Sequence, residues 1–286
     1  MLRNAFFVKK YRSSFHFILI VFVIAASACV SSVTAVKLSD GTLEMNLDPD
    51  PSSVFVGSKT TLYVDVENKD VKTLENVAVE IFDTGLMEAV DKNRCKGFLQ
   101  SMLPNKTFSL RCELAMNTEI LDDSVENKIH ARASFKTKLS IIQSIEFISE
   151  EWYERLRITG LTPKPKKFAY ADKNIKVTIE FSDNLPIIIR KDKKYYMYIT
   201  IENVGKGLVK EIKADDIELK FASSNEIISK KSCTIQNVIY SVGDKFPRIA
   251  CEITLPKVET QKTEDLILGI NYNYDIRAST FITIKK

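Results

Sequence analysis

Five cysteines, two histidines and ten tyrosines are the residues of this 286-residue chain that could carry chemistry. Four of the cysteines are paired by spacing. Cys95 and Cys112 are separated by almost the same stretch as Cys233 and Cys251, and Cys29 is left over. Neither pair has the C-x-x-C spacing of redox or zinc chemistry. In an oxidising compartment these spacings predict one disulfide per pair, Cys95–Cys112 and Cys233–Cys251. Closing a loop of this size stabilises a fold by about 3 kcal/mol in the chain-entropy model.

Catalytic chemistry has little to work with. His16 lies in the N-terminal segment, which leaves His130. One histidine cannot build a His-rich zinc site. It could serve a Ser-His-Asp triad, but it sits in an alternating stretch that reads as a half-exposed strand. There is no G-x-S-x-G elbow and no P-loop, and Gly205-Lys206-Gly207 lacks the third glycine of a dinucleotide loop. The acidic groups Asp48/Asp50, Asp122/Asp123/Glu126 and Asp215/Asp216 do not match a calcium loop and read as solvated turn acids. No catalytic, cofactor or metal residue is expected. Binding residues are easier to nominate. Tyr195, Tyr196, Tyr198, Tyr272 and Tyr274 form a candidate partner face, because tyrosine joins an apolar ring to a polar tip; the competing reading is cross-strand packing. Asn105-Lys106-Thr107 is a glycosylation sequon in an expected turn.

These residues must first be placed in a compartment. A basic region ends at Arg12, an uncharged run extends from Ser13 to Val36 with an apolar heart at Phe15–Ala26, and small residues occupy Ala26-Ser27-Ala28. That order is the layout of an export signal. The uncharged run is also long enough to span a bilayer if it is not removed. Either outcome leaves the rest of the chain outside, since the positive charges stay in the cytoplasm. Ala26-Ser27-Ala28-Cys29 resembles the lipobox of prokaryotic lipoproteins, which implies lipidation at Cys29. Ala26 departs from the usual Leu, and an A-x-A cut just before Cys29 fits as well. The formal charge of +4 is carried by Arg3, Lys9, Lys10 and Arg12. Without them 37 basic residues face 37 acidic ones, which gives no basis for nucleic-acid binding.

The elements beyond the signal repeat. Leu62–Asn68 reads L-Y-V-D-V-E-N, and Met197–Asn203, in the second half of the chain, reads M-Y-I-T-I-E-N. Asn76 and Asp216, Cys95 and Cys233, and Cys112 and Cys251 follow in the same order at nearly the same offset. Apolar residues alternate through most segments, which is the period of a half-buried strand. In the first copy strands are expected at Thr42–Leu47, Thr60–Asn68, Asn76–Phe82, Lys96–Met102, Thr107–Leu114, Lys128–Phe135 and Lys138–Phe147. In the second they are expected at Ile175–Phe181, Leu185–Ile189, Tyr195–Asn203, Asp216–Phe221, Leu266–Tyr274 and Arg277–Ile284. A hairpin of Lys96–Met102 with Thr107–Leu114 would bring Cys95 opposite Cys112. Ser149–Arg157 reads as a helix capped by Ser149, and Thr162–Lys167 as a stiff Pro-Lys linker. The fold class is therefore all-β: two tandem sandwiches after a signal or anchor at 1–28, with domain 1 at 36–148, helix and linker at 149–167, and domain 2 at 168–286.

The pattern apolar-Tyr-apolar-x-apolar-Glu-Asn, then a turn, then N-V-x-V-x-I resembles the Ig-like repeats of prokaryotic cell-surface proteins, of the adhesion-related CARDB type. Leu62–Ile81 and Met197–Phe221 carry it, with Gly205 and Gly207 in the second turn and Lys69-Asp70 in the first. The resemblance implies a non-enzymatic, membrane-tethered extracellular protein that binds or scaffolds cell-envelope proteins or glycans. An accessory or chaperone-like subunit of a surface machine such as a pilus is the alternative, favoured by an exposed edge at Leu185–Ile189; a secreted hydrolase is the third. Eight of the ten tyrosines lie from Tyr153 onward, so domain 2 is expected to make the partner contact.

Overall fold

A computed structural model describes residues 42–117, 120, 122–158, 160, 162–223, 232–235 and 237–286. Alternation builds most of its elements. The first copy forms β1 (Leu43–Asp50), β2 (Ser53–Phe55), β3 (Lys59–Asn68), β4 (Leu74–Asp83), β5 (Glu88–Ala89), β6 (Lys96–Met102), β7 (Thr107–Ala115) and β8 (Ser124–Ser149). Helix α1 (Glu150–Ile158) follows, with the Ser149 hydroxyl accepting from the Trp152 N–H at 3.2 Å. The second copy forms β9 (Lys167–Ala171), β10 (Ile175–Phe181), β11 (Ile187–Ile189), β12 (Tyr196–Asn203), β13 (Glu211–Lys213), β14 (Ile217–Phe221), β15 (Val238–Tyr240), β16 (Ile249–Glu252) and β17 (Gln261–Lys285). In β3, Leu62, Val64 and Val66 are fully buried, as are their counterparts Met197, Ile199 and Ile201 in β12. Each such side chain contributes about 1.5–3 kcal/mol through burial.

The fold is all-β and sandwich-type. One small sheet runs β1-β3-β7-β5 and another runs β16-β12-β10-β9. Both pack on one large sheet, β14-β17-β8-β4-β6, to which β2 and β11 add. The large sheet is continuous because of β8 and β17. Alternation predicts two strands in place of each; each is one strand, of 26 and 25 residues, and the two pair antiparallel from Ser124↔Lys285 to Ile148↔Gln261.

This ribbon crosses the division expected at 148/149. The first part of β8 pairs with β4, and its far end pairs parallel with β11 of the second copy. The first part of β17 pairs with β14, and its far end pairs parallel with β2 of the first copy. Each half thus completes its sandwich with a strand from the other. One apolar core runs through both, and the described residues form a single compact unit.

Two further expectations need correction. β6 and β7 are not a hydrogen-bonded hairpin: β6 pairs with β4 in the large sheet and β7 with β3 in the small one. The Cys95–Cys112 bridge therefore links the two layers of a sandwich. The strand at the Leu185–Ile189 edge has only three residues, and Leu185 and Ile187 are buried. It offers no long apolar edge to a partner strand.

Candidate interaction surfaces

The tyrosines nominated as a partner face do not form one. Tyr195, Tyr272 and Tyr274 are buried, and Tyr196 and Tyr198 are half-buried. Strand alternation explains the outcome: Tyr272 and Tyr274 share the inward parity of Leu268 and Ile270. Their hydroxyls are then obliged to find partners inside. Tyr195 donates to the Ile188 carbonyl and accepts from the Arg190 N–H. Tyr198 lies under the Arg248 guanidinium, 3.9 Å from its ring centre.

Tyr272 anchors a buried polar junction between the halves. Its hydroxyl donates to the Asp172 carboxylate at 2.6 Å and lies 3.3 Å from the Asn174 amide nitrogen. The Asn174 side-chain oxygen accepts from Thr42, the first described residue, at 2.8 Å. Asp172 also accepts from the Asn174 and Ile175 N–H groups, each at 2.8 Å. Burial, then the negative charge of Asp172, push the Tyr272 hydroxyl well above its ordinary pKa. Burial also raises Tyr274, whose oxygen accepts from the Gly207 N–H at 2.6 Å. Beside this junction lies an open cleft of about 450 Å³ lined by Leu43, Glu44, Lys69, Lys206, Tyr274 and Arg277 among others.

The exposed aromatic residues of the large sheet are phenylalanines, and they cluster on its outer face in the first half. Phe82, Phe98 and Phe281 are 47%, 63% and 53% exposed. The register sets Lys96, Glu80, Arg132 and Arg277 in one row across β6, β4, β8 and β17. Arg132 pairs with Glu80. The Arg277 guanidinium lies 5.7 Å from the Phe82 ring centre, and Lys128 lies 5.6 Å from that of Phe281. Arg132 and Arg277 face each other directly, an unfavourable like-charge pair in an isolated sheet. A count of tyrosines does not reveal this face. Strand parity does: in β4, Val77, Val79 and Ile81 point inward, so Phe82 points out.

His130 is on the same face, between Ser279 and Asp83 in register, which are the residue types of a nucleophilic triad. No hydrogen bond among the described residues joins them. The imidazole stacks near Phe82, 5.9 Å between centres, and the Asp83 carboxylate accepts from the Gly85 N–H at 3.0 Å. The constellation lies on an open sheet face and does not assemble as a catalytic relay.

The remaining nominated residues are placed as follows. The disulfides Cys95–Cys112 and Cys233–Cys251 are both present, one per repeat. Asn105 is exposed in the turn between β6 and β7, with a left-handed backbone at φ 55°. Asp48, Asp50, Asp122, Asp123 and Glu126 lie in outward-facing positions at strand ends and turns, and Asp215 and Asp216 lie in a 3-10 turn. Among the described residues no group of three His, Cys, Asp or Glu is placed to hold a metal ion. Cys29 lies outside the described residues.

No family model matches the sequence, and no curated protein matches it. Among solved structures, a protein of unknown function from Porphyromonas gingivalis W83 is similar over 74% of this chain and 84% of its own, at 10% identity and a TM-score of 0.23. At that TM-score the likeness carries no argument about fold or role.

Proposed function

We propose that the chain is a non-enzymatic, membrane-tethered binding and scaffolding protein on the outer face of the cytoplasmic membrane. The carrying observation is the pair of disulfides, each internal to one repeat. Such bridges persist where the surroundings are oxidising. The basic, apolar, small-residue order before Cys29 supports the same address. The tether is a lipid on Cys29 or an uncleaved apolar segment. The resemblance to CARDB-type surface repeats fits a role in holding partners rather than transforming them. The ribbon of β8 and β17 suits a spacer, because it joins the halves by paired strands rather than by a flexible linker.

The partner contact is assigned to the first half, not to the tyrosine-rich second. Its outer sheet face exposes Phe82, Phe98 and Phe281 beside arginine and lysine; aromatic residues and arginine are enriched at protein interfaces. Partners are envelope proteins or glycans. Two experiments test this reading. Protease added to intact cells degrades the chain, and full protection until lysis overturns the location. Envelope pull-downs with Phe82→Ala/Phe281→Ala recover less partner than the parent chain; equal recovery overturns the assignment of the face.

A further inference from the structure

Sheet edges that are left open invite pairing, and most edges in this molecule are blunted. β1 carries Pro49 between Asp48 and Asp50. β2, β5 and β11 are two or three residues long. β16 is covered by Cys233 and Thr234, whose N–H donates to the Ala250 carbonyl at 2.8 Å. β14 presents Glu218 and Lys220, and β9 begins with Lys167. β6 differs. It is seven residues long, K-G-F-L-Q-S-M, has no proline, and among the described residues pairs only with β4. Its one charge, Lys96, reaches 3.8 Å to Glu80 on its own sheet and does not guard the outer side. Phe98, Gln100 and Ser101 are exposed, and Leu99 is half-buried. At its far end, Leu103 and Val71 add exposed apolar surface. Asn68 holds that region together by donating to the Lys72 and Met102 carbonyls, each at 2.9 Å.

We propose that β6 is the edge at which a second copy of this chain adds antiparallel, so that the large sheet continues through two molecules. The strand is complementary to itself. A register centred on Leu99 sets Leu99 against the partner's Leu99, Phe98 against the partner's Gln100, and Lys96 against the partner's Met102. No like charges meet. The two Phe98 rings lie diagonally on the outer face, within reach of each other. Such a contact uses one patch twice and closes at two copies, with no free β6 edge left over. It extends the outer face assigned above to partner binding, but it does not depend on that assignment.

Two measurements on the full chain test it. In oxidised membranes, Leu99→Cys forms a covalent dimer, because directly opposed Cβ atoms lie about 5 Å apart. Lys96→Cys, opposed to the partner's Met102, gives no covalent dimer, and neither does the parent. Equal cross-linking at 96 and 99, or none at 99, overturns the register and the pairing. In sedimentation velocity of the purified chain in detergent, the parent is a dimer. Phe98→Lys/Gln100→Lys sets like charges opposite each other twice and weakens self-association about tenfold or more; at concentrations low enough that the parent is also dissociated, its melting curve matches the parent's, because both positions are exposed. A parent that stays monomeric at its highest soluble concentration, or a double variant that dimerises like the parent, overturns the proposal.

Discussion

Phe135 and Tyr274 occupy matching positions in the two long strands, at the same offset that separates Cys112 from Cys251, and their rings meet at 5.6 Å between centres. They differ by one hydroxyl, and that atom explains an irregularity of the repeat. The Tyr274 hydroxyl sits under the 204–208 loop, where a Cβ added at Gly205 would approach it to 2.1 Å, and one added at Gly207 would come within 2.3 Å of the Asp275 carbonyl. The first copy has Phe135 and no hydroxyl, and its turn carries Lys69 and Asp70. Gly205→Ala is therefore expected to cost about 1–3 kcal/mol by overpacking. In a Tyr274→Phe background the cost falls by at least about 0.5 kcal/mol, the size of a coupling between residues in contact; denaturant titration of the four proteins reads the cycle. Tyr272→Phe removes a hydroxyl that Asp172 and Asn174 both use, and is expected to cost about 1–3 kcal/mol through the groups left unpaired. It also has a pH signature. The folded-state pKa of Tyr272 is raised above that of the unfolded chain. Its contribution is therefore whole below about pH 10, the unfolded value, and declines as pH rises further. Stability measured from pH 8 to 11 falls more steeply for the parent than for Tyr272→Phe. The pairing of the cysteines was legible from spacing alone. The burial of the tyrosines was legible in part: Tyr272 and Tyr274 share the parity of the apolar Leu268 and Ile270, whereas a count of tyrosines takes no account of parity.

Strand by strand, most of the secondary structure can be read from alternation. β6, β7 and β10 begin where expected and end within a residue of it. The departure is the same in both repeats: alternation divides β8 and β17 in two, although each is one strand. The cause is local. Inward apolar positions run through Ile129, Ala131, Ala133 and Phe135, then Lys136-Thr137-Lys138 interrupts, and alternation returns at Leu139. β17 has Asn271, Asn273 and Asp275 near the corresponding place. A polar interruption usually marks a turn. Here it marks the point where a continuous strand leaves one sandwich and enters the other, and the partner strand, far away in sequence, pairs with its backbone throughout. The disulfides belong to this scale too, because they fasten elements that do not otherwise form a ladder. Cys95–Cys112 ties the start of β6 to β7 across the two layers, and Cys233–Cys251 ties a loop to the β16 edge. Replacing either pair by serine is expected to lower stability by about 3 kcal/mol. Peptide mapping under non-reducing conditions checks the connectivity, and a fragment joining Cys112 to Cys233 contradicts it.

From Thr42 onward the described chain is two copies of one unit that complete each other about a local twofold axis. β17 begins and ends at nearly the same offset from β8 as separates the paired cysteines, so the two strands of the ribbon are themselves repeat copies. Phe135 faces Tyr274 in the ladder, which places the axis at that pair. β11 lies on the far end of β8 as β2 lies on the far end of β17. This exchange could not be read from the repeat, since an equal offset is produced whether each unit keeps its last strand or gives it away. Sequence similarity reports the copies; only the ladder reports the trade. The exchange has a consequence for either repeat alone. Residues 42–158, expressed by themselves, lack the part of β17 that borders β8 and receives β2. A monomer of this fragment would leave β2 without a partner and one side of β8 unpaired along its length, at a cost that a small core bears poorly. A second copy of the fragment supplies what is missing: β8 pairs antiparallel with β8 of the partner, Phe135 against the partner's Phe135, with the offset that the intact chain uses between its own halves. The fragment is therefore expected to fold only as a dimer, with a melting temperature that rises with concentration. Carrying Phe98→Lys/Gln100→Lys keeps the β6 edge from contributing. Sedimentation that gives twice the fragment mass supports the exchange. A folded, cooperative monomer would show that the first half is complete without the C-terminal strand, contrary to the topology.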